Sequence, residues 1–570
     1  MTATRPRRTA EPVRTSARAG WCIAALVAAY LFVALIAAVP NSPLATPLPP
    51  GAAPPSWGVH VARAIGLDAV SRPGLIAVSL AIVVGAVCVF VLLLLEARSN
   101  RVRLAAVLAG AGVSLVVSVA APVLLSRDVF SYAAYARIDA VYHRNPYVAS
   151  PVAFPRDPFV QATAAQWLHA RSVYGPAFTL ASSGMAQLWR GSPGALILAF
   201  KIAAGVGVGV AIACTALVAR AFWPERVPLA AAMVGLNPVI VVHTVGGAHV
   251  DAWLAGLLAA ALLVAVGTER AAEAPQRVDV AGGRMLQRGK PRVPPAARTR
   301  ERGRFRRSSS LRTVAVTVLL TVATLIKIVA LPVLCLWLWR LARTPPGRRA
   351  RTVAPNVALV LALAAVMVLP FSDGWHTWTP LAATGGVESW ASPAHLVAHG
   401  PRAFVELFAG AGIGRVIEVT VLVAFLLAFA AAFLRLARRE GIGRRARATR
   451  PGSPAETWGA SLLLLSLAIP YLLPWYGAWF APFLGVMTDG VLVAIGTLVS
   501  ILLALTLVPA DPFRGTTTPG VMIWVHDVVA PALLVLFAVA IRRVWKPPKT
   551  TGGHDRGAHP EAITRRSGTP

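Results

Sequence analysis

Residues 104–132 read LAAVLAGAGVSLVVSVAAPVLLSRDVFSY, an uncharged apolar run that ends abruptly at Arg127 and Asp128. A run of more than about 18 apolar residues is long enough to cross a bilayer as a helix. The stretch 104–125 satisfies this condition and therefore predicts a transmembrane helix. We expect Asp128 where this helix leaves the membrane, anchored by the helix and open to the aqueous space.

The same pattern recurs along the chain, which is 56% hydrophobic and only 14% charged. Runs of this length exclude a soluble multidomain protein, because ordinary globular domains do not contain them in such number. The predicted fold class is all-α, a polytopic transmembrane helical protein. Further spans in the first half of the chain are predicted at 21–40, 74–96, 193–219, 227–246 and 250–267.

The formal net charge of +32 is concentrated in short blocks between the apolar runs. Cytoplasmic loops of membrane proteins carry an excess of Lys and Arg, so these blocks predict the topology. Nucleic-acid binding is not indicated, whereas contact with anionic lipid head groups of the bilayer is expected. With the Arg-rich N-terminus inside, segment 126–192 is predicted to lie on the extracytoplasmic face of the plasma membrane.

Three regions follow from this pattern. Residues 1–20 are predicted to form a basic cytoplasmic tail, residues 21–541 the transmembrane domain, and residues 542–570 a disordered cytoplasmic tail. Within the domain, segment 269–312 holds thirteen Lys or Arg against four acidic residues and is rich in Pro, Gly and Ser. Such a segment is predicted to be a disordered cytoplasmic loop.

The apolar run 313–342 is flanked by basic residues on both sides, which a single crossing would not allow, and the run 458–488 is given the same interpretation. The first contains Lys327, and the second contains Pro470 and Pro474. Each run therefore predicts a helical hairpin whose turn lies at the outer face. With the plain spans below, the chain crosses about 12–14 times and both termini are cytoplasmic. The plain spans are 353–371, 413–435, 490–508 and 520–541.

Few carboxylates are predicted on the outer side, and Asp128 stands out because a helix end presents it. Ionisable groups at membrane depth are costly, so those present usually face a protein cavity. Residues 132–147 predict an amphipathic interfacial helix that ends before Pro146. Aromatic faces with polar groups suit sugar hydroxyls, although interfacial aromatic belts account for them equally well. They occur in Asn145-Pro146-Tyr147, Asp157-Pro158-Phe159 and Tyr174-Gly175-Pro176.

These three motifs, together with a run that precedes them, resemble the actinobacterial polyprenyl-phosphomannose-dependent alpha-1,6-mannosyltransferases of the GT-C superfamily. The preceding run is Ser126-Arg127-Asp128-Val129-Phe130-Ser131-Tyr132. The resemblance covers about residues 100–485. It departs from the family at His143-Arg144-Asn145-Pro146-Tyr147, where Gly-x-Asp-Pro-Tyr is usual, and at residues 246–251, where Gly-Gly-His-Asn-Asp is usual. Further matching motifs are Gly246-Gly247-Ala248-His249-Val250-Asp251, Leu325-Ile326-Lys327-Ile328 and Pro474-Trp475-Tyr476.

The resemblance implies a GT-C-like membrane glycosyltransferase with an outer catalytic loop at 126–192. It would transfer mannose, with inversion, from polyprenyl-phosphomannose to a cell-envelope glycan or lipoglycan. Asp128 matches the family's general base, and a carboxylate that accepts a hydroxyl proton contributes typically about 10²- to 10⁴-fold. Candidates for binding the donor phosphate or sugar are Arg127, Arg144, His249, Asp251 and Lys327. Candidates for acceptor or sugar contacts are Tyr132, Asn145, Tyr147, Asp157, Tyr174, Trp475 and Tyr476.

No cofactor is predicted besides the lipid-linked donor, which is a substrate. No P-loop and no GxGxxG motif after a strand is present, so a nucleotide-sugar donor on a Rossmann domain is not indicated. No metal-ligand cluster is recognised on the outer face, and the four cysteines have no CxxC spacing. A metal bound jointly by Asp128 and Asp251 is the alternative that stays open.

Two alternatives to mannosyl transfer are considered. One is the same chemistry with another prenyl-phosphate sugar, arabinofuranose or glucose. The other is a secondary transporter or lipid flippase, which would place ionisable residues near mid-membrane at corresponding positions of two halves. The polar residues gather at predicted outer ends, and loop 126–192 has no counterpart, so the enzyme is favoured.

Overall fold

The structure is a computed structural model that describes residues 15–267, 295–343, 346–373, 389–440, 453–506 and 519–546. Within these ranges the chain is helical and forms no strand. Seven of the described helices are long and apolar enough to cross a membrane. The all-α polytopic fold is therefore confirmed. The predicted tails before residue 15 and beyond residue 546, and segment 268–294 of the basic loop, lie outside the described residues.

Local sequence explains where several helices begin. Ser16, Ser71 and Ser192 each accept a hydrogen bond from a first-turn N–H of the following helix, as N-cap residues do. The longer helices are Ala17–Ala38, Arg72–Arg98, Leu104–Ala120, Pro193–Phe222, Asp251–Gly267, Pro295–Ile326, Leu331–Ala342, Pro346–Val368, Pro393–Ala409, Ala411–Arg439, Ser453–Ala468, Gly490–Ala504 and Ala530–Trp545. The shorter helices are Ser56–Ala64, Asp128–Ala140, Pro158–Ala162, Ala165–Leu168, Pro176–Leu188, Val227–Gly235, Val239–Val245, Gly477–Leu484, Pro519–Ile523 and Trp524–Val529.

The run 313–342 forms the predicted hairpin. Its first helix ends at Ile326, Lys327 has extended backbone, and the second helix starts at Leu331. Across the hairpin, the Trp337 indole N–H donates to the Thr317 hydroxyl oxygen at 3.0 Å. The two helices therefore run side by side in opposite directions. The side of the membrane on which the Lys327 turn lies stays a prediction.

The run 458–488 also folds back on itself. Helix Ser453–Ala468 is followed by a turn and by helix Gly477–Leu484. The Asp489 N–H donates to Glu456 Oε1 at 3.0 Å, which brings the two ends of the hairpin together. The predicted break around Pro470 and Pro474 is confirmed, because proline removes a backbone donor and interrupts a helix.

The predicted amphipathic interfacial helix at 132–147 is wrong. The observed helix, Asp128–Ala140, starts four residues earlier, and every residue from Val129 to Ile138 is buried. It packs against helix Pro176–Leu188 inside the 126–192 loop. The polar residues that indicated a solvent-exposed helix face have partners inside the protein. The Arg137 guanidinium, for example, pairs with Asp157 at 2.7 Å.

Helices Pro193–Phe222 and Asp251–Gly267 approach each other closely through small residues. A Cβ atom at Gly207 would lie 2.4 Å from the Ala252 carbonyl oxygen, and one at Gly256 would lie 2.7 Å from the Gly207 carbonyl oxygen. Glycine is required here because membrane helices associate by close van der Waals packing rather than by a hydrophobic drive. This contact holds the segment that begins at Asp251.

Four connections meet at one end of the helices, which we call the aspartate end: 121–127, 246–250, the Lys327 break and 469–476. The Leu124 N–H donates to the Gly246 carbonyl at 3.1 Å, and the ring of Trp475 stacks on the ring of His249. All four connections are ones that the topology prediction assigned to a single membrane face. Their proximity follows from helices that run up and down in sequence.

The opposite end, which we call the arginine end, carries the basic residues of the short connections. Arg18 lies 3.7 Å from Glu96 and Arg543 lies 2.7 Å from Asp489. The Arg226 guanidinium donates to the Met487 carbonyl. The basic residues of these short connections therefore lie at the end opposite to Asp128 and Asp251.

Helix burial differs strongly across the bundle. In the segment Pro224–Val245, 89% of the most apolar 18-residue stretch is buried inside the protein. The corresponding fraction is only 6% in the helices Arg349–Phe371 and Ala411–Arg439. Apolar helices with almost no protein cover are stable where lipid covers them. The central segment therefore supports the aspartate end, and the two exposed helices form part of the surface that meets the bilayer.

Candidate active site

Asp128 is the first residue of helix Asp128–Ala140, directly after the 121–127 connection. The Asp128 N–H donates to the Ser126 hydroxyl oxygen at 3.2 Å. Leu125 has a φ of +58°, which is rare for a bulky residue and persists only where the surroundings enforce it. The Asp128 side chain retains 16% exposure. The backbone therefore presents this carboxylate at the rim of a mostly buried cluster.

The strained turn before Asp128 is held from two sides. On one side the Leu125 N–H donates to the Leu44 carbonyl at 2.9 Å, and the Thr46 N–H donates to the Val123 carbonyl at 3.4 Å. On the other side Leu124 is bonded to the carbonyl of Gly246. These bonds satisfy backbone groups that would otherwise be unpaired after the membrane helix ends.

His249 approaches Asp128 from the neighbouring turn. Its Nδ1 atom lies 3.7 Å from Asp128 Oδ2 and 3.2 Å from the Tyr132 hydroxyl oxygen. Trp475 stacks on its other face, with ring centroids 3.6 Å apart. Ala248 has a φ of +57°, so His249, like Asp128, follows a strained residue. These contacts fix the imidazole ring beside the carboxylate.

Burial sets the protonation states of this pair. It raises the pKa of Asp128 to about 7, and the nearby Lys327 charge and a hydrogen bond from Ser126 act in the opposite direction. Burial together with Lys327 holds the pKa of His249 well below its usual range, so this imidazole is neutral. Burial also raises the pKa of Tyr132 well above its usual range. The Asp128 carboxyl, with its pKa near 7, therefore changes its protonation state close to neutral pH.

Lys327 lies beside the acidic cluster at the break in its hairpin. Its Nζ atom is 2.7 Å from Asp251 Oδ1, which also accepts the Trp479 indole N–H at 2.5 Å. The Lys327 ammonium lies 4.4 Å from the Tyr476 ring centroid and 5.2 Å from that of Trp479. Cation–π contact and the ion pair together orient the ammonium group.

The loop 126–192 docks directly on the Lys327 break. The Gly175 N–H donates to the Ile326 carbonyl at 2.9 Å. A Cβ atom at Gly175 would lie only 2.0 Å from the Leu325 carbonyl oxygen, so this close approach requires glycine. The neighbouring Tyr174 ring packs edge-on against Tyr132, with ring centroids 4.9 Å apart. The loop therefore closes over the Asp128 cluster.

A family model for the N-terminal domain of alpha-(1→6)-mannopyranosyltransferases matches residues 43–343, which is more than half of the chain. The chain belongs to this mannosyltransferase family. Comparisons with curated proteins and with solved structures find no match. The matched range includes Asp128, His249, Asp251 and Lys327. Trp475, which covers His249, comes from the part of the mannosyltransferase beyond that range.

Asp157, predicted as a sugar contact, is 1% exposed in the mannosyltransferase. Its Oδ2 atom is 2.7 Å from Arg137 Nε and accepts the Tyr142 hydroxyl at 3.0 Å. Its Oδ1 atom accepts the Phe159 N–H at 2.9 Å and caps a short helix. Both carboxylate oxygens are therefore occupied within the loop, which favours a structural role.

Asn145 and Tyr147 also have internal partners. The Asn145 amide donates to the Phe371 carbonyl at 2.8 Å, and its Oδ1 atom accepts the Tyr147 N–H at 2.9 Å. The Tyr147 hydroxyl donates to the Tyr174 carbonyl at 2.8 Å. These two residues hold the loop in shape. Their predicted contact with sugar stays a prediction.

The remaining predicted residues divide into two groups. Tyr132, Tyr174, His249, Asp251, Lys327, Trp475 and Tyr476 are brought together with Asp128 at the aspartate end. Arg127 is partly buried next to Asp128, whereas Arg144 is exposed on the 126–192 loop. The donor-phosphate role predicted for either arginine stays a prediction.

Sequence reasoning missed several residues of the mannosyltransferase site. Trp479 binds Asp251 and lies one helical turn after Trp475, a spacing that could have revealed it. Trp167 and Tyr471 form an edge-to-face pair with ring centroids 6.2 Å apart, and both are partly exposed. Lys201 donates to carbonyls of two of the site's turns. Lys201 is a single lysine in an apolar run, and the same pattern singled out Lys327, so it could have identified Lys201 as well.

Proposed function

We propose that this mannosyltransferase takes mannose from polyprenyl-phosphomannose and transfers it to a hydroxyl of a cell-envelope glycan or lipoglycan. Asp128 is the general base, and the anomeric carbon is inverted. The observation that carries the proposal is the Asp128 carboxylate, 16% exposed at the rim of a buried polar cluster, with its pKa raised to about 7. The family match supports mannose over arabinofuranose or glucose.

In the proposed step, Asp128 accepts the proton of the acceptor hydroxyl while that oxygen bonds to the anomeric carbon of mannose. The bond from the anomeric carbon to the phosphate oxygen breaks, and its electron pair leaves with the polyprenyl phosphate. Attack on the face opposite the leaving group gives inversion. A base whose pKa lies near the working pH combines a large ionised fraction with good basicity.

Lys327 supports the leaving group. A lysine ammonium has three N–H donors, and Asp251 uses one of them. The remaining donors suit a phosphate oxygen, because a charged donor stabilises the negative charge that develops there. Asp251 and the rings of Tyr476 and Trp479 keep the ammonium in place, so little reorganisation is needed during the reaction.

Aromatic rings near the rim offer faces for the acceptor sugar. Trp167 and Tyr471 are partly exposed, and the Asp128 charge adds to the effect of burial in raising the pKa of Tyr471. That influence indicates that the Trp167–Tyr471 pair lies near Asp128. An acceptor sugar on this pair would present its hydroxyl toward the base.

The decisive assay uses the full-length protein in lipid nanodiscs, radiolabelled polyprenyl-phosphomannose and a short alpha-mannoside acceptor. We expect a mannosylated product of inverted configuration, and no product from nucleotide-linked mannose. Product formed only from nucleotide-linked mannose would refute the lipid-linked donor. Transfer of arabinofuranose or glucose, but not mannose, from the same carrier would refute the proposed sugar.

The aspartate end is proposed to be extracytoplasmic, supported by the basic residues of the short connections at the opposite end. In a variant without native cysteines, Arg144→Cys should react with a membrane-impermeant maleimide on intact cells. Arg343→Cys, exposed at the arginine end, should react only after permeabilisation. Labelling of Arg343→Cys from outside would reverse the orientation.

A further inference from the structure

Lys201 is an ionisable residue inside an apolar helix, Pro193–Phe222, and it is only 2% exposed. Its ammonium donates hydrogen bonds to two backbone carbonyl oxygens, those of Pro122 at 2.9 Å and Gly246 at 3.2 Å. A buried charge in a membrane helix is costly, and such residues are usually functional. Met, of similar length, would fill the space without that cost.

The two carbonyls lie where helices end. Pro122 follows helix Leu104–Ala120, and Gly246 follows helix Val239–Val245. The last carbonyls of a helix lack intrahelical donors and form the negative end of its dipole. The Gly246 carbonyl is of this kind, and the Pro122 carbonyl lies just beyond the end of its helix. The Lys201 ammonium donates to both, as basic residues near helix C-termini do.

Each of these carbonyls leads directly to a residue of the proposed site. Pro122 precedes Asp128 by six residues, and Gly246 precedes His249 by three. Both intervening segments contain a strained residue, because Leu125 has a φ of +58° and Ala248 has a φ of +57°. Strained turns keep their conformation only when neighbouring groups hold them.

We infer that Lys201 is a positioning residue that fixes Asp128 relative to His249. It acts through the carbonyls of Pro122 and Gly246, and the Gly246 carbonyl also accepts the N–H of Leu124. Lys201 thereby joins two helix ends and the two turns that follow them. The inference rests on the proposed role of Asp128 as the general base.

Lys201→Met tests this inference because it removes the donors and keeps the length of the side chain. Lys201→Arg restores donors. The matched control is Thr215→Val on the same helix, since the Thr215 hydroxyl is buried and donates to the Pro482 carbonyl at 3.2 Å. For each variant in nanodiscs, kcat, both KM values, the pH profile and the thermal midpoint are measured.

We expect Lys201→Met to lower kcat about 10- to 100-fold, because a displacement of about 1 Å at a reacting group has effects of this size. Both KM values should stay within about twofold. The rising limb of the pH profile should shift, because the surroundings of Asp128 change. Lys201→Arg should recover most of the turnover, and Thr215→Val should keep it.

The double variant Lys201→Met/Asp128→Asn should be no slower than Asp128→Asn alone, since both changes act on one step. Wild-type kcat in Lys201→Met, an equal loss in Thr215→Val, or a loss additive with Asp128→Asn would each overturn the inference. An active Asp128→Asn variant would refute the general-base proposal alone. The comparison of Lys201→Met with Thr215→Val would then still decide whether Lys201 holds the turns.

Discussion

Asp128 at the aspartate end and Asp489 at the arginine end differ in how completely their carboxylates are paired. At the arginine end Asp489 binds Arg543 at 2.7 Å, and its other oxygen accepts the N–H groups of Val491 and Leu492. At the aspartate end Asp128 lies 3.7 Å from His249, which is beyond hydrogen-bond distance. Both aspartates stand at helix N-termini, yet Asp489 is fully engaged and Asp128 keeps room for another partner.

Buried atoms without a hydrogen-bond partner occur at both ends of the described bundle, and Glu456 Oε2 beside Asp489 is one at the arginine end. Within the described part of the chain, His249 Nε2 and Asp251 Oδ2 are buried without a hydrogen-bond partner. Buried polar atoms in folded proteins are almost always bonded, so exceptions call for an explanation. The comparison teaches that the Asp489 carboxylate is used within the protein, whereas the Asp128 carboxylate retains bonding capacity that a substrate can use.

The largest expected effect is that of Asp128→Asn. Asn keeps the size and the helix-start properties of Asp but accepts no proton, so turnover should fall at least about 10²-fold. The matched control is Asp489→Asn, which also begins a helix and should keep turnover within about twofold. Rates of mannosyl transfer per folded protein provide the test. Equal effects of the two substitutions would show that the comparison between the ends has no functional meaning.

Lys327→Gln should reduce turnover by about 10²-fold, the size of effect seen when one transition-state donor is lost. Its counterpart at the arginine end, Arg543→Gln, breaks a partly exposed ion pair and should change turnover less than about twofold. Lys327→Gln leaves Asp251 buried without a cation, which by itself lowers the stability of the protein. The double variant Lys327→Gln/Asp251→Asn removes that unpaired charge, so any remaining loss of turnover reports on the chemical step. A double variant with normal turnover would contradict the proposed contact with the leaving group.

The pH dependence of turnover sharpens the contrast further. Asp128 acts only when ionised, and its pKa is raised to about 7, so turnover should rise as pH increases through about 7. Well below that pH it should fall about tenfold per unit, since the ionised fraction falls by that factor. An aspartate at its ordinary pKa of 3.8 would give a flat profile between about pH 6 and pH 8. A flat profile with wild-type protein would contradict the raised pKa.

The smallest expected effect is that of Trp167→Ala. Loss of one aromatic face should raise the acceptor KM about 10-fold and leave kcat nearly unchanged, because the contact is made equally in the ground and transition states. Trp545→Ala removes a 52% exposed tryptophan at the arginine end and serves as control. A fall in kcat without a change in KM would place Trp167 in the chemical step instead.

Sequence alone was sufficient for the seven described helices that are long and apolar enough to cross a membrane, and for two helix breaks. Apolar run length and the placement of arginines are local properties, and they predicted the spans, the hairpin break at Lys327 and the break near Pro470. Asp128 was predicted at the end of the span 104–125, whereas the observed helix ends at Ala120 and the 121–127 connection separates it from Asp128. The amphipathic interfacial helix at 132–147 was mispredicted, because its polar residues indicated a solvent-exposed face. In the structure these residues are buried against tertiary partners such as Asp157.

What only the tertiary structure decided is which polar residues share an environment. Asp251 meets Trp479 across 228 positions of sequence, and Lys201 meets Pro122 across 79. Contacts of this range depend on how the helices pack, which no local pattern encodes. The sequence by itself therefore determined that this chain is a polytopic membrane protein, and it singled out Asp128 after an apolar run. Helix packing decided that the Asp157 carboxylate pairs with Arg137, whereas the Asp128 carboxylate can still accept hydrogen bonds from another group. The physical reason is that burial and neighbouring groups determine the chemistry of each carboxylate.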